Sequence, residues 1–204
     1  ILNDIRFLNS ADIESVEVLK DASALAVYGS RGANGVIIIT SKSGKGREKP
    51  VINFNTEYGL QYIPKKIDLL SGTEFAQLVN EINPGTFNNL SRVSNTDWQD
   101  VVYNKYAPVT NSQFSFAGSS KNKYNYYFGL GYYDQEGIIP KSGYNRLTVK
   151  LNQAYSLNEF VKVGSAINLS NENKDNAANV VPQIYKAWPT DEPYNEDGSY
   201  AEIG

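Results

Sequence analysis

The stretch Tyr124-Asn125-Tyr126-Tyr127-Phe128-Gly129-Leu130-Gly131-Tyr132-Tyr133 decides the fold class. Tyr124, Tyr126, Phe128, Leu130 and Tyr132 fall on one side of an extended strand. Asn125, Tyr127, Gly129, Gly131 and Tyr133 fall on the other. Side chains alternate across a strand with a period of two, so this run reads as β-structure with one apolar face. Working outward, the pattern returns four times. Ile52, Phe54, Thr56, Tyr58, Leu60 and Tyr62 oppose Asn53, Asn55, Glu57, Gly59 and Gln61. Phe114 and Phe116 oppose Gln113 and Ser115 more weakly. Leu147, Val149 and Leu151 oppose Arg146, Thr148, Lys150 and Asn152. Val161, Val163, Ile167 and Leu169 oppose Lys162, Gly164, Ala166, Asn168 and Ser170. The spacing predicts five strands, at 51–62, 111–119, 124–134, 145–157 and 160–171, paired in chain order as an antiparallel meander. Ile52, Tyr58, Phe128, Val149 and Ile167 are expected on its convex face.

The connections differ in length. Ser119 to Lys123 and Asn158-Glu159 read as tight polar turns, whereas Asp134 to Tyr144 is longer and holds Gly137, Pro140 and Gly143. The segment 63–110 is longest. Within it Ser71 and Glu74 form a capping box ahead of the apolar stripe Phe75, Leu78, Val79 and Ile82, and Asn83-Pro84-Gly85 stops the helix. Short turns on one side and long loops on the other suit a transmembrane barrel, as do strands of about 9–12 residues. A soluble antiparallel sandwich with one wet face is the competing reading. Aromatics near the strand ends and small or polar residues on the opposite face favour the barrel.

Residues 1–46 have a different texture. Ile13 to Leu19 reads as a strand, Asp21 as the cap of a short helix through Ala22, Ala24, Leu25 and Ala26, and Gly29 as its end. Gly29, Gly32 and Gly35 then recur every third residue. They lack the Lys-Ser/Thr end of a phosphate loop and follow a helix instead of preceding one, so a tight packed turn is expected. Val36-Ile37-Ile38-Ile39-Thr40 reads as a strand buried on both faces, and Lys42 to Lys49 as a basic linker.

Composition narrows the function. The chain has 204 residues, a formal charge of −3, and no Cys, His or Met. Disulfides, thiolate zinc and Ser-His-Asp chemistry are thereby excluded, and the charge argues against nucleic-acid binding. No cofactor, metal site or catalytic residue is expected. Carboxylate-only chemistry survives, with Asp97, Asp100, Asp191, Glu192, Glu196 and Asp197 in the loops, but solvated loop charge is the favoured account. Glu196-Asp197-Gly198-Ser199 reads as a turn. Trp98 and Trp188 are candidate substrate-contact aromatics, weighed against loop anchoring by packing. No apolar run approaches the roughly 20 residues of a membrane helix. The start at Ile1, without a leader pattern, is read as that of an internal stretch.

At residues 13–40 the sequence resembles a known family. Ile13-Glu14-Ser15-Val16-Glu17-Val18-Leu19-Lys20-Asp21-Ala22-Ser23-Ala24 and Val27-Tyr28-Gly29-Ser30-Arg31-Gly32-Ala33-Asn34-Gly35-Val36-Ile37-Ile38-Ile39-Thr40 closely resemble the end of the plug domain of TonB-dependent transporters. The Gly-Ser-Arg-Gly-Ala-Asn-Gly form is similar to the SusC/RagA branch. Asp68-Leu69-Leu70-Ser71-Gly72-Thr73-Glu74, Asp97-Trp98-Gln99-Asp100, Gly131 to Ile139 and Val161-Lys162-Val163-Gly164 resemble further stretches of it. The resemblance implies a mixed fold: an α/β plug-domain remnant at 1–46, then an incomplete antiparallel transmembrane β-barrel at 47–204 with a long helical outer loop at 63–110. Barrels of this kind have roughly 22 strands. It implies import of a large nutrient, glycan or peptide, across the outer membrane, and no enzyme activity. The implied partners are TonB, a SusD-like surface lipoprotein and outer-membrane lipid. Gly29, Ser30, Arg31, Gly32, Asn34 and Gly35 would be the structural plug motif. A soluble all-β glycan-binding module is the alternative function.

Overall fold

Alternating aromatic and β-branched residues favour a pleated, one-sided surface, and in this computed structural model they form one sheet. The structure describes residues 8–21, 26–32, 34–47, 49–120, 123–177 and 179–201. Five strands, β3 (Val51–Gln61), β4 (Ala107–Ser120), β5 (Tyr124–Glu136), β6 (Gly143–Ser156) and β7 (Lys162–Asp175), lie side by side in chain order. They follow β1 (Ile13–Leu19) and β2 (Val36–Ser41), which pair antiparallel in a separate two-stranded sheet. The chain divides into two compact units, one of residues 1–58, 110–134 and 145–173, the other of 59–109, 135–144 and 174–204.

Cross-strand contacts fix the register of the large sheet. Asn53 Nδ2 reaches Ser115 Oγ at 3.4 Å, and Thr56 Oγ1 lies 2.9 Å from Ser112 Oγ. Phe114 packs on Phe128 and Phe116 on Tyr126, with ring centroids 6.4 and 5.2 Å apart. Tyr124 meets Tyr155 at 6.5 Å, and Gln153 Nε2 donates to Ser165 Oγ at 3.0 Å. In β3/β4 and β4/β5, two contacts each show a step forward on one strand matched by a step back on the next. This is the antiparallel meander predicted from the periodicity.

The sheet's two faces have opposite chemistry. Ile52, Phe54, Tyr58, Phe114, Phe116, Phe128, Val149, Ile167 and Leu169 share one face through this register. Phe54 and Tyr58 are each 70% exposed and Leu169 62%. On the other face Tyr127, Thr148 and Lys150 are buried, and the residues that reach this face include Asn9, Asp12, Ser41 and Lys42.

Strand ends depart from expectation. β4 starts at Ala107, where Ala107 is fully buried, so the preceding loop is shorter than 63–110. β7 runs to Asp175, through polar residues exposed on both sides. The loop between β5 and β6 shrinks to 137–142, closed by Gly137 N–H donating to Ser142 O at 2.8 Å. At the next turn Asn158 Oδ1 accepts from the N–H groups of Phe160 and Val161 at 2.9 and 2.8 Å. Positions 121 and 122 of the Ser119–Lys123 turn lie outside the described residues.

In the first unit, Asn9 caps a 3-10 turn at Ser10–Asp12 that leads into β1. Between β1 and β2 the described part, Ala26–Gly32, is 3-10 helix broken at Gly29 (φ 60°, ψ −148°). The short helix expected from Asp21 lies mostly at 22–25, outside the described residues. Gly35 has φ 95°, and a Cβ on it would lie 3.3 Å from Leu19 O. The expectation that 36–39 is buried on both faces is corrected. Ile37 is exposed, because β2 pairs with β1 alone in a two-stranded sheet.

In the second unit, α1 (Gly72–Ile82) begins with the expected capping box: Ser71 Oγ accepts from Glu74 N–H, and Glu74 Oε2 accepts from Ser71 N–H at 2.8 Å. Its stripe is only partly covered. Phe75 and Val79 are half-buried while Leu78 and Ile82 are exposed, and the fully buried Ala76 lies outside the predicted stripe. Two short helices follow, α2 (Trp98–Val102) and α3 (Val181–Ile184). The turn at 195–198 closes through Gly198 N–H to Asn195 O at 2.9 Å.

Gly29 and Gly35 sit at positive φ, where an L side chain costs about 1–3 kcal/mol. Gly29→Ala and Gly35→Ala are each expected to destabilise the chain by about that amount, while Gly59→Ala, in open space at ordinary strand geometry, changes little. Thermal unfolding of the detergent-solubilised variants checks the difference.

Candidate functional site

Two places gather functional groups, one in each unit. In the first unit the polar face of the sheet meets the 9–42 segment through hydrogen bonds. Tyr127 Oη donates to Asp12 Oδ1 at 2.5 Å, and Gln113 Nε2 donates to Asn9 Oδ1 at 2.6 Å. Asn152 Nδ2 donates to Lys42 O at 2.8 Å, and Lys42 N–H donates to Asp12 O at 2.9 Å. Buried polar groups need such partners. The sequence placed Gln113, Tyr127 and Asn152 on the polar strand face, but assigned Asn9, Asp12 and Lys42 no contact with it. The one signal of such contact was that β5 turns Tyr127, Gly129 and Gly131 to the same side.

In the second unit three distant loop segments are sewn together. Gln99 brackets Ile67 with its side-chain amide, Oε1 accepting from Ile67 N–H at 3.0 Å and Nε2 donating to Ile67 O at 2.9 Å. Gly72 N–H donates to Asn95 Oδ1 at 2.8 Å, and Thr96 N–H donates to Pro189 O at 2.8 Å. Trp98 Nε1 donates to Trp188 O at 2.8 Å. The two candidate tryptophans, 90 residues apart in the chain, therefore meet. Trp98 is 7% exposed and Trp188 46%, with the Trp188 ring tilted on Phe75 at a centroid distance of 5.2 Å. They share an open cleft of about 620 Å³ with Ile67, Leu70, Phe75 and Tyr185.

Charge gathers at its rim. Lys66 pairs with Asp100 and, at 3.4 Å, with Asp97. The hydrogen bond to Asp100, then the bond and charge of Asp97, raise the Lys66 ammonium above its ordinary value. Partial burial works to raise Asp97, but hydrogen bonds from Gln99 N–H and Lys66 outweigh it and leave the carboxyl lowered. Hydrogen bonds from the backbone and hydroxyl of Ser71 lower Glu74. Asp97 and Asp100 thus face a cation, an arrangement suited to holding a loop. Asp191 and Glu192 likewise serve loop bonds, through Thr96 Oγ1 to Asp191 O at 2.7 Å and Ser94 Oγ to Glu192 Oε1 at 2.5 Å. Asp197 closes its own turn by accepting from Ser199 N–H at 2.9 Å. Of the glycine motif, Gly29, Ser30 and Asn34 are exposed, Gly32 is buried and Gly35 half-buried, with Arg31 inside the 3-10 segment.

These features define a class: a long-stranded antiparallel sheet with its apolar side bare, its polar side bonded to a small segment that carries a two-stranded sheet and 3-10 helix, and loops bonded into a cluster. No family model matches the chain. TonB-dependent receptor P3 of Formosa agariphila is 38% identical over 200 residues, covering 93% of this chain and 19% of that protein. TonB-dependent receptor SusC of Bacteroides thetaiotaomicron is 35% identical over 207 residues, covering 97% and 20%. The RagAB peptide importer in its closed-closed state superposes with a TM-score of 0.81 at 26% identity, over 96% of this chain and 26% of that one. The chain belongs to the TonB-dependent receptors of the SusC/RagA family. It spans about a fifth of the length of the curated relatives it matches.

Trp98→Ala removes a buried indole and its bond, so a loss of about 3–5 kcal/mol is expected. Trp188→Ala, half exposed, costs less. Limited proteolysis at 179–201 ranks the two. The capping box also carries a pH dependence. A lowered folded-state pKa means that Glu74 contributes stability above the usual glutamate range, and that this is lost as pH falls through its folded value. In detergent, the Ser71 amide shift is expected to titrate with a midpoint below that range, and the titration to vanish in Glu74→Gln.

Proposed function

We propose that this chain is part of an outer-membrane transporter that imports a large nutrient with energy from TonB. Residues 1–46 are the C-terminal part of its plug, with Gly29, Ser30, Arg31, Gly32, Asn34 and Gly35 as the structural turn of that domain. Residues 47–204 are the first part of its β-barrel, with 63–110 as an outer loop. The observation that carries this reading is the exposed apolar face of the sheet. A fully exposed Phe, Leu or Ile forfeits about 1.5–3 kcal/mol relative to burial. A handful of them rivals the whole net stability of a domain, about 5–15 kcal/mol. Lipid against that face removes the deficit, and a polar plug suits the opposite one.

A SusD-like surface lipoprotein is the proposed partner, and glycan or peptide the cargo. The peptide importer among the structural neighbours supports the peptide arm. The half-exposed Trp188 supports a contact with cargo in the loop cleft, and the burial of Trp98 supports an anchoring part beside it.

Arginine on a lipid-facing strand costs about 2–4 kcal/mol near the bilayer midplane. Phe54→Arg combined with Ile167→Arg is therefore expected to deplete the full receptor from the outer-membrane fraction, whereas Asn55→Arg, on the polar face, leaves it in place. Uptake of labelled glycan and peptide mixtures by cells with and without TonB identifies the cargo and its energy source. A monodisperse, detergent-free monomer of this chain with a cooperative melt would overturn the membrane reading and restore the soluble glycan-binding module.

A further inference from the structure

We propose that Asp12 and Tyr127 are the positioning pair that holds the 9–12 turn and the exit of β2 on the polar face of the sheet, with Gly129 and Gly131 as the recess that admits the turn. This deepens, and rests on, the reading of that piece as a plug.

Asp12 joins three elements. Its carboxylate accepts from Tyr127 Oη across 115 positions of chain. Its carbonyl accepts from Lys42 N–H at the exit of β2, and its own N–H closes the 3-10 turn on Asn9 O at 3.0 Å. Tyr127 is 2% exposed and Asp12 9%, so bulk solvent scarcely reaches the pair.

Gly129 and Gly131 explain how a polar turn comes so near a sheet. Neither adopts positive φ, so backbone conformation does not demand glycine there. Space does. A Cβ on Gly129 would stand 2.6 Å from Asp12 Oδ1 and 3.1 Å from the Tyr127 ring, and one on Gly131 would run into Asn9 Nδ2. Lys150, 5% exposed, lines a cavity of about 120 Å³ with Asn9, Asp12 and Thr148, which places a basic side chain at the same pocket as Asp12. A second cavity of about 310 Å³, lined by Asn9, Asp12, Asn53, Gln113 and Tyr127, is polar and roomy enough for water. Water there can take over each bond as it breaks, so the pair holds its partner specifically and still releases it.

The test uses the full receptor. Hydrogen exchange is read over 10–19 and, as a control, over β5 and β6. Tyr127→Phe is expected to speed exchange over 10–19 by about tenfold, the equivalent of one net hydrogen bond, with the strand amides unchanged. Asp12→Asn keeps an acceptor for Tyr127 and is expected to stay closer to wild type than Asp12→Ala. Gly129→Val, which drives carbon into Asp12, should match or exceed Tyr127→Phe. In cells lacking TonB, a hydrophilic dye excluded by the intact outer membrane should enter severalfold faster in Tyr127→Phe. The cargo concentration for half-maximal uptake in TonB-bearing cells should not move. Unchanged exchange over 10–19 in Tyr127→Phe, or no difference between Asp12→Asn and Asp12→Ala, overturns the pair. Faster exchange in a protein that never reaches the outer membrane keeps the pair and removes the transporter reading.

Discussion

A sheet satisfies its own backbone, but its two faces still have to be satisfied by whatever they meet. Here Phe54, Tyr58, Ile167 and Leu169 stand exposed on one face while Tyr127, Thr148 and Lys150 are buried on the other. In water the arrangement is the wrong way round, since apolar area gains about 25 cal/mol per Å² from leaving water and buried polar groups cost free energy unless bonded. An apolar medium against the bare face, as proposed above, and a polar cover on the opposite one remove the inversion. The remaining features of the first unit follow from that constraint.

The cover must be polar because the face beneath it is polar. Asn9, Asp12 and Lys42 supply donors and acceptors to Gln113, Tyr127 and Asn152, where an aliphatic surface would leave those groups unpaired. A seam built this way is also easier to separate than an apolar one. Each net hydrogen bond is worth only about 0.5–1.5 kcal/mol because water replaces it, whereas parting an apolar interface exposes area with no substitute. Glycine at 129 and 131 follows in turn, since polar side chains reach the sheet only where strand side chains are missing.

Period two was legible because the strand forces it: Tyr124 to Tyr132 must share a face whatever surrounds them, and the register then set Phe114 against Phe128. The strand ends were not legible. Asn173, Lys174 and Asp175 extend β7 while exposed on both sides, so no burial contrast marks them, and Ala107 begins β4 without an aromatic signal. Ile37 looked doubly buried because an apolar run records affinity for a core and not how many neighbours a strand finds. The residues that form the seam were not legible, because Asn9 and Asp12 sit in a turn, where polarity is the ordinary state and carries no period. In the second unit the capping box of Ser71 and Glu74 was readable because it is local. The meeting of Trp98 with Trp188 was not, because nothing in either segment encodes a partner 90 residues away.

The loop cluster of the second unit obeys a different logic from the sheet. Its segments are joined mainly by side chains bonded to backbone, as Gln99 brackets Ile67 and Asn80 brackets Phe87, with Nδ2 to Phe87 O at 2.8 Å and Phe87 N–H to Oδ1 at 2.9 Å. Such bonds fix the path of a chain without filling the space beside it, whereas an apolar core holds its parts by filling that space. That is why a cleft of about 620 Å³ survives next to Trp98, and why Leu78 and Ile82 remain exposed on a well-capped helix. A loop that has to present a defined surface gains more from directional bonds than from a collapsed core. Trp98 then serves as a large buried anchor, and Trp188, whose carbonyl accepts from the Trp98 indole, stays 46% exposed.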